Sequence, residues 1–380
     1  MENINSILQN ILDLRQKEGL YRSLTLSGSG IDFYSNDYLG LAQSKALNSY
    51  LKEFSDQFEQ QNPDFIGLGS TGSRLISGNH PVFEHFEKAC AQFHKAETAL
   101  FFGSGFEANT GLISAIGQEN HVILCDKLIH ASLIDGLRLS KAEKRIFKHN
   151  NIADLEKILK QYPLDTPKWV VVESVYSMDG DQAPLEKLVA LKQLYHFELI
   201  VDEAHSGGVY GANGEGICVE KNIQDQIYAR IVTFGKAWGY SGAVVLGNLT
   251  LRNFLINFAR PFIYSTAPTK QHIVDLLGIL QFIQTCENQR NKLKNNIEFF
   301  ASHQKSAHWI ASKTAIQSFI VPGNDHVRNK AKDIQEKGFQ VKPIVYPTVA
   351  KGLERIRITL HSYQEEKEML ELIQLLEHDE

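Results

Sequence analysis

Cysteine is scarce in this sequence, and what there is does not pair. The 380 residues hold four, Cys90, Cys125, Cys218 and Cys286, far apart and without a C-x-x-C spacing. That argues against a disulfide framework or a zinc knuckle and fits a reducing compartment. Long apolar runs are missing too: no stretch approaches the roughly 20 residues needed to cross a bilayer. The first residues, MENINSILQNILDLRQKEG, are amphipathic but contain acids and lack the apolar centre of a signal peptide, so they predict a surface helix. A strong charge of either sign is absent. With 39 Lys and Arg against 44 Asp and Glu, the formal net charge is −5, too mild for a dedicated nucleic-acid or anionic-membrane surface. Repeats and low-complexity tracts are absent as well. The expected location is the cytoplasm.

What is present is ordinary globular composition, 43% hydrophobic and 22% charged, in a chain long enough for one large domain or two modest ones. Ile4, Ile7, Leu8, Ile11, Leu12 and Leu14 recur at helical spacing. A short strand, IDFYSN, follows. Residues 63–80 (PDFIGLGSTGSRLISGNH) form a long loop rich in Gly, Ser and Asn, a length that points to function. A helix opens at Pro81, a favoured first-turn position.

From there strands and helices alternate. TALFF, HVILC, KRIFK, WVVVES and ELIVDEA read as short apolar strands. GFEANTGLISAI, HASLIDGLRLS, DLEKILKQY and PLEKLVALKQLY read as the helices between them. IVTFGKAW and GAVVLG are two more strands. Apolar strands in βαβα order predict an α/β fold with a mostly parallel sheet buried on both faces. A helical stretch over roughly 268–303 precedes a different texture, with strands SFIVP, FQVKPIVYP and RIRITL and two helices. The expected division is an N-terminal helix and arm at 1–45, a large domain at 46–285 and a smaller α+β domain at 286–380.

In an open parallel sheet, ligands bind at the carboxyl ends of the strands. After ALFF comes Gly103-Ser104-Gly105-Phe106, opening a helix. It reads either as a phosphate cradle, with free N–H groups at a helix start, or as a tight strand–helix turn. His130 follows HVILCDKLI at a helix start, and Ser177 follows WVVVES. Each is by itself an ordinary cap or loop residue. Asp202 closes the apolar strand ELIVD and so predicts a buried carboxylate, which needs a positive partner. A protonated pyridine nitrogen, an arginine or a metal would serve, the metal least well because no ligand cluster lies nearby. Lys236 sits among Gly and apolar residues in FGKAWG. A partly desolvated lysine is a candidate nucleophile, and Thr233 three residues earlier is within reach of a phosphate. Cradle, buried acid and desolvated lysine on successive strands are the parts that pyridoxal phosphate uses.

Longer stretches extend this pattern: SNDYLGLA (35–42), SRLISGNH (73–80), FGSGFEANTG (102–111), HASLIDG (130–136), SMDGDQAPL (177–185), VDEAHSGGVYG (201–211), TFGKAWGYSGAVVLG (233–247), ARPFIYSTAP (259–268) and PTVAKGLERIRITL (347–360). In these the chain resembles the α-oxoamine synthases, a family of fold-type I pyridoxal-phosphate enzymes, over nearly its whole length. The resemblance implies a set of roles. Lys236 matches the Schiff-base lysine and general acid/base, and Asp202 the partner of the pyridine nitrogen. His205 and Ser177 match ligands of the phenolic oxygen, and His130 the residue stacked on the ring. Ser104, Gly105, Phe106 and Thr233 match the phosphate surroundings. Ser265 and Thr266 match residues that reach the phosphate of a neighbouring subunit, which implies a homodimer with shared active sites. Arg357 matches the arginine that binds the amino-acid carboxylate, and Arg22 and Thr348 match acyl-substrate contacts.

Within the family the sequence leans toward members of biotin synthesis that join L-alanine to a pimeloyl thioester, of CoA or an acyl carrier protein, with loss of CO₂. Sister enzymes using glycine or serine share the cofactor residues, and a non-catalytic partner subunit would be expected to lack the lysine. Two positions depart from the family pattern. Ala350 stands where proline is common, and Gly235 where serine is common.

Overall fold

The apolar runs pair into one sheet in the computed structural model, which describes residues 3–378 apart from 25 and 27. Its seven strands are β1 (Thr98–Phe102), β2 (Val122–Asp126), β3 (Glu143–Phe147), β4 (Lys168–Glu173), β5 (Glu198–Asp202), β6 (Ala229–Thr233) and β7 (Ala243–Gly247). Their spatial order is β1-β7-β6-β5-β4-β2-β3. β3, β2, β4, β5 and β6 run parallel. β7 is antiparallel to both of its neighbours, so the sheet is mixed but mostly parallel.

β2 and β6 are buried along their whole length, as strands covered on both faces must be. β3 departs from that expectation: Glu143 to Ile146 are exposed. It is the edge strand, and its Glu, Lys and Arg are the charges that keep an open edge from pairing with other chains. Two helices fix the site. α1 (Gly105–Ile116) follows β1, and α2 (Ala131–Leu139) follows β2. They bury Leu112, Ile113, Leu133 and Leu137 in one cluster with Val171, Ile200 and Ile231 of the sheet. The two helices touch closely at Gly136, where a Cβ would stand 2.8 Å from that of Ile113.

The described residues fall into two units. The larger holds 36–296 and 361–363, and the smaller holds the rest. The divisions thus fall at 35/36 and 296/297, the second inside the helix Glu287–His303. The expected divisions were 45/46 and 285/286, and the sequence treated the N-terminal arm as separate. The smaller unit contains a four-stranded antiparallel sheet with Arg355–Thr359 as an inner strand. Of the expected strand IDFYSN, only Ile31–Asp32 forms, pairing with Phe339–Gln340. The N-terminal helix, Ile4–Lys17, buries none of its residues within the chain. Among the described residues no helix is long and apolar enough to cross a membrane.

Candidate active site

Four strand ends and two helix starts converge on a cavity of about 310 Å³ in the larger unit. Its walls include Ser104, Gly105, Phe106, His130, Asp202, His205, Thr233 and Lys236. Eight of the residues singled out in the sequence therefore meet in one place. Ser177 lies in the turn after β4 and is not part of the wall. Ser265 and Thr266 lie after the short helix Arg260–Tyr264, also away from this cavity. Arg22, Thr348 and Arg357 belong to the smaller unit. There, Arg357 is buried and donates from Nη1 to Thr359 Oγ1 at 2.9 Å, while Arg22 and Thr348 are exposed.

Asp202 is 4% exposed. Its Oδ2 accepts from Asn109 Nδ2 at 2.7 Å and its Oδ1 from the Ala204 N–H at 2.8 Å. No ion pair to it forms among the described residues. A buried carboxylate held by neutral donors alone calls for a positive group.

The cradle is built at the start of α1. Ser104 caps the helix, its Oγ accepting from the Glu107 N–H, which leaves the Gly105 and Phe106 N–H groups as first-turn donors. A Cβ on Gly105 would come within 2.5 Å of Thr233 Cγ2. Helix start and strand end thus approach at a distance that only glycine permits. Thr233 is buried and its Oγ1 has no partner. Two backbone donors and a buried hydroxyl form an anion site.

His130 caps α2 and is exposed along the cavity. Its Nδ1 contacts Ser132 Oγ at 2.8 Å. Desolvation lowers its pKa, with Lys236 adding to the effect and Asp202 opposing it. The His205 ring is fixed from behind, with Nδ1 2.5 Å from the Tyr38 hydroxyl. Lys236 is half-buried, in a turn closed by the Gly239 N–H on its carbonyl and anchored by the fully buried Phe234 and Trp238.

Sequence reading missed Asn109, Ser132, Tyr38 and Glu173. Glu173 carried the same signal as Asp202, an acid closing an apolar strand. The other three are polar residues inside helices or loops, with nothing local to mark them.

Just beyond the wall, His149 bridges two segments that lead into it. Its Nδ1 is 2.8 Å from Asp126 Oδ1 at the end of β2, and its Nε2 is 2.7 Å from Asp181 Oδ2 in the turn after β4. Asp179 lies close by, but both ring nitrogens already face carboxylates, so the cluster is an ion clamp. Burial would lower the ring's pKa, yet the two hydrogen bonds and charges raise it from 6.5 to about 10. A raised folded-state value stabilises fully below pH 6.5 and is lost as pH rises through about 10. His149→Gln is therefore expected to lower the urea midpoint near neutrality, with the gap to wild type closing toward about pH 10. A pH series of urea melts checks this, and a gap independent of pH would refute the clamp.

The sequence profile of the aminotransferase class I and II family matches residues 29–376. The 8-amino-7-oxononanoate synthase of Haemophilus ducreyi is 36% identical over 358 residues, covering 91% of this chain and 90% of that protein. A Geobacillus kaustophilus protein that carries the same name provisionally is 39% identical, covering 94% of this chain and 90% of its own length. The solved 8-amino-7-oxononanoate synthase of Francisella tularensis superposes with a TM-score of 0.75 at 30% identity, over 92% of this chain and 97% of that one. Serine palmitoyltransferase of S. paucimobilis superposes with a TM-score of 0.88 over 99% of this chain and 98% of that one, and at 24% identity it speaks for the fold.

The cofactor of this family fits the cavity. The Gly105–Thr233 cradle suits its phosphate, the buried Asp202 its pyridine nitrogen, and Lys236 its aldehyde. The chain is a pyridoxal-phosphate enzyme of the aminotransferase class I and II family, and within that family it belongs to the α-oxoamine synthases, which are acyltransferases.

Proposed function

We propose that this enzyme joins L-alanine to a pimeloyl thioester, releasing CO₂ and a free thiol and forming 8-amino-7-oxononanoate for biotin synthesis. The observation that carries the chemistry is the buried Asp202 in one cavity with Lys236 and His130. The choice of substrates is supported by the name of the Haemophilus ducreyi relative and by the stretch ARPFIYST at 259–266.

Bound pyridoxal phosphate supplies an electron sink for the pair left when the amino acid's Cα loses its proton. Lys236 would hold the cofactor through its aldehyde, and its amine would take the alanine Cα proton and later return one. Asp202 keeps the positive charge on the pyridine nitrogen. His130 would stack on the ring, while His205, held by Tyr38, and Ser177 would orient the phenolic oxygen. Ser104, Gly105, Phe106 and Thr233 surround the phosphate. Arg357 binds the alanine carboxylate, the geometry a guanidinium matches best. Arg22 and Thr348 contact the acyl chain.

The active form in this reading is a homodimer, with Ser265 and Thr266 serving the second copy's phosphate. Large apolar residues stand open near that segment: Tyr264 at 70%, Leu68 at 76% and Ile76 at 85% exposure. The segment is tied to the 63–80 loop by Ala267 N–H to Gly72 O and by Ser70 Oγ to Pro268 O. Such a patch fits a face covered by another copy. A cytoplasmic location agrees with four free, buried cysteines.

Thiol release by the cofactor-loaded enzyme tests the substrates. Turnover is expected with pimeloyl-CoA and L-alanine and not with acetyl-CoA and glycine. Turnover with the second pair alone would move the enzyme to the glycine-using sisters. Activity only with the carrier-protein thioester would change the acyl donor and leave the reaction as stated.

A further inference from the structure

Glu173 is a second buried acid in the cavity wall, and the chemistry above leaves it without a task. It closes β4 directly opposite Asp202 on β5, the two being register partners. Glu173 is 3% exposed. The backbone N–H groups of His130 and Ser177, which belong to different segments and are both assigned to the cofactor ring, face its carboxyl and favour its ionised form. Its Oε1 has no hydrogen-bond partner, and no ion pair to it forms among the described residues.

Two carboxyls side by side in a buried wall do not both ionise readily. Both oxygens of Asp202 accept a hydrogen bond, whereas Oε1 of Glu173 has no partner. Glu173 is therefore the one that keeps the proton. Burial and the charge of Asp202 push its carboxyl well above the usual range, with Lys236 and the two backbone donors opposing. Of the other titratable groups, His130 and His205 line the same cavity, and Tyr176 feels the charge of Glu173.

We propose that Glu173 is a positioning residue for the cofactor ring: as the neutral acid, it holds the His130 and Ser177 segments through its accepting oxygen and offers its O–H to a polar atom in the cavity. The proposal rests on the cofactor reading of this site. A neutral acid leaves the pyridine nitrogen to a single counter-charge, Asp202. An ionised Glu173 would add a second negative charge and raise the pKa of any cationic nitrogen nearby.

The test is cofactor binding to the full-length protein stripped of cofactor, for wild type, Glu173→Gln and Glu173→Ala. The pH titration of the bound cofactor's absorbance is followed alongside. Glutamine keeps one acceptor and one donor without a charge. It is expected to leave the titration midpoint within about half a unit of wild type and Kd within about threefold. Alanine leaves two backbone N–H groups unmatched and is expected to weaken binding by about tenfold or more. A midpoint lowered by more than about one unit in Glu173→Gln would mean that the group is charged and would overturn the proposal. Wild-type affinity in Glu173→Ala would overturn the positioning role. If wild type itself binds no pyridoxal phosphate, the cofactor reading falls and this one with it. Thermal melts of the cofactor-free variants separate loss of binding from loss of fold.

Discussion

Replacing Lys236 by alanine is expected to abolish thiol release, by at least about a thousandfold, while the protein still folds. The lysine is asked to do two things, hold the cofactor covalently and move the Cα proton. General acid–base transfer alone contributes about 10²–10⁴ in rate. Among the described residues no other amine lines the cavity, and His130, a base in its wall, has its Nδ1 engaged by Ser132. The fold is insulated from the change. The Lys236 side chain stands in the cavity, while the turn depends on its backbone carbonyl and on the buried Phe234 and Trp238. The stability change is expected to stay within about 1 kcal/mol. Hydride reduction of the loaded protein followed by peptide mass analysis should find the cofactor fixed to Lys236 in wild type and nowhere in the variant. Residual turnover above about a tenth of wild type would remove Lys236 from both roles.

What the sequence made legible was whatever closes an apolar run. Asp202 and Thr233 end β5 and β6, and Gly105 opens the helix after β1. A polar or flexible residue at such a place stands out because everything before it is buried. Asn109 could not be found that way. It lies inside α1, in a stretch that reads as any helix face, and its meaning comes from Asp202, 93 residues away. Tyr38 is defined by His205 at a separation of 167 residues, and no local pattern carries that. β3 was misread in the other direction. Its Ile and Phe suggested a buried strand, but its position at the sheet edge, which the local pattern does not reveal, leaves all but Phe147 exposed. The substrate side is the least legible part. Arg357 is a buried arginine on a strand of the smaller unit, and only family resemblance distinguished it from a structural one.

Asp202→Asn is expected to separate stability from function, which an ordinary core mutation does not do. In the cofactor-free chain the carboxylate is buried, sits beside Glu173 and forms no ion pair among the described residues, so removing its charge costs the fold little. Hydrogen bonding can adjust as well. The amide placed at 202 turns one oxygen into a donor, and Asn109 can rotate its own amide to accept, because its Oδ1 has no partner. The cofactor-free melting midpoint is therefore expected to hold or rise. With pyridoxal phosphate bound, the same change leaves a buried positive nitrogen without its counter-charge. Breaking a buried pair costs about 3–5 kcal/mol, which corresponds to a loss of about 10²–10³-fold or more in turnover. The stabilisation that the cofactor confers on melting should shrink in parallel, because a ligand stabilises only as far as it binds the folded state. Melting curves of both proteins with and without cofactor, set beside their turnover, give the comparison. Turnover within about threefold of wild type would mean that the charge at 202 has no part in the reaction. A cofactor-free variant that unfolds early would mean that the carboxylate is a structural group, and the chemistry assigned to it would need another owner.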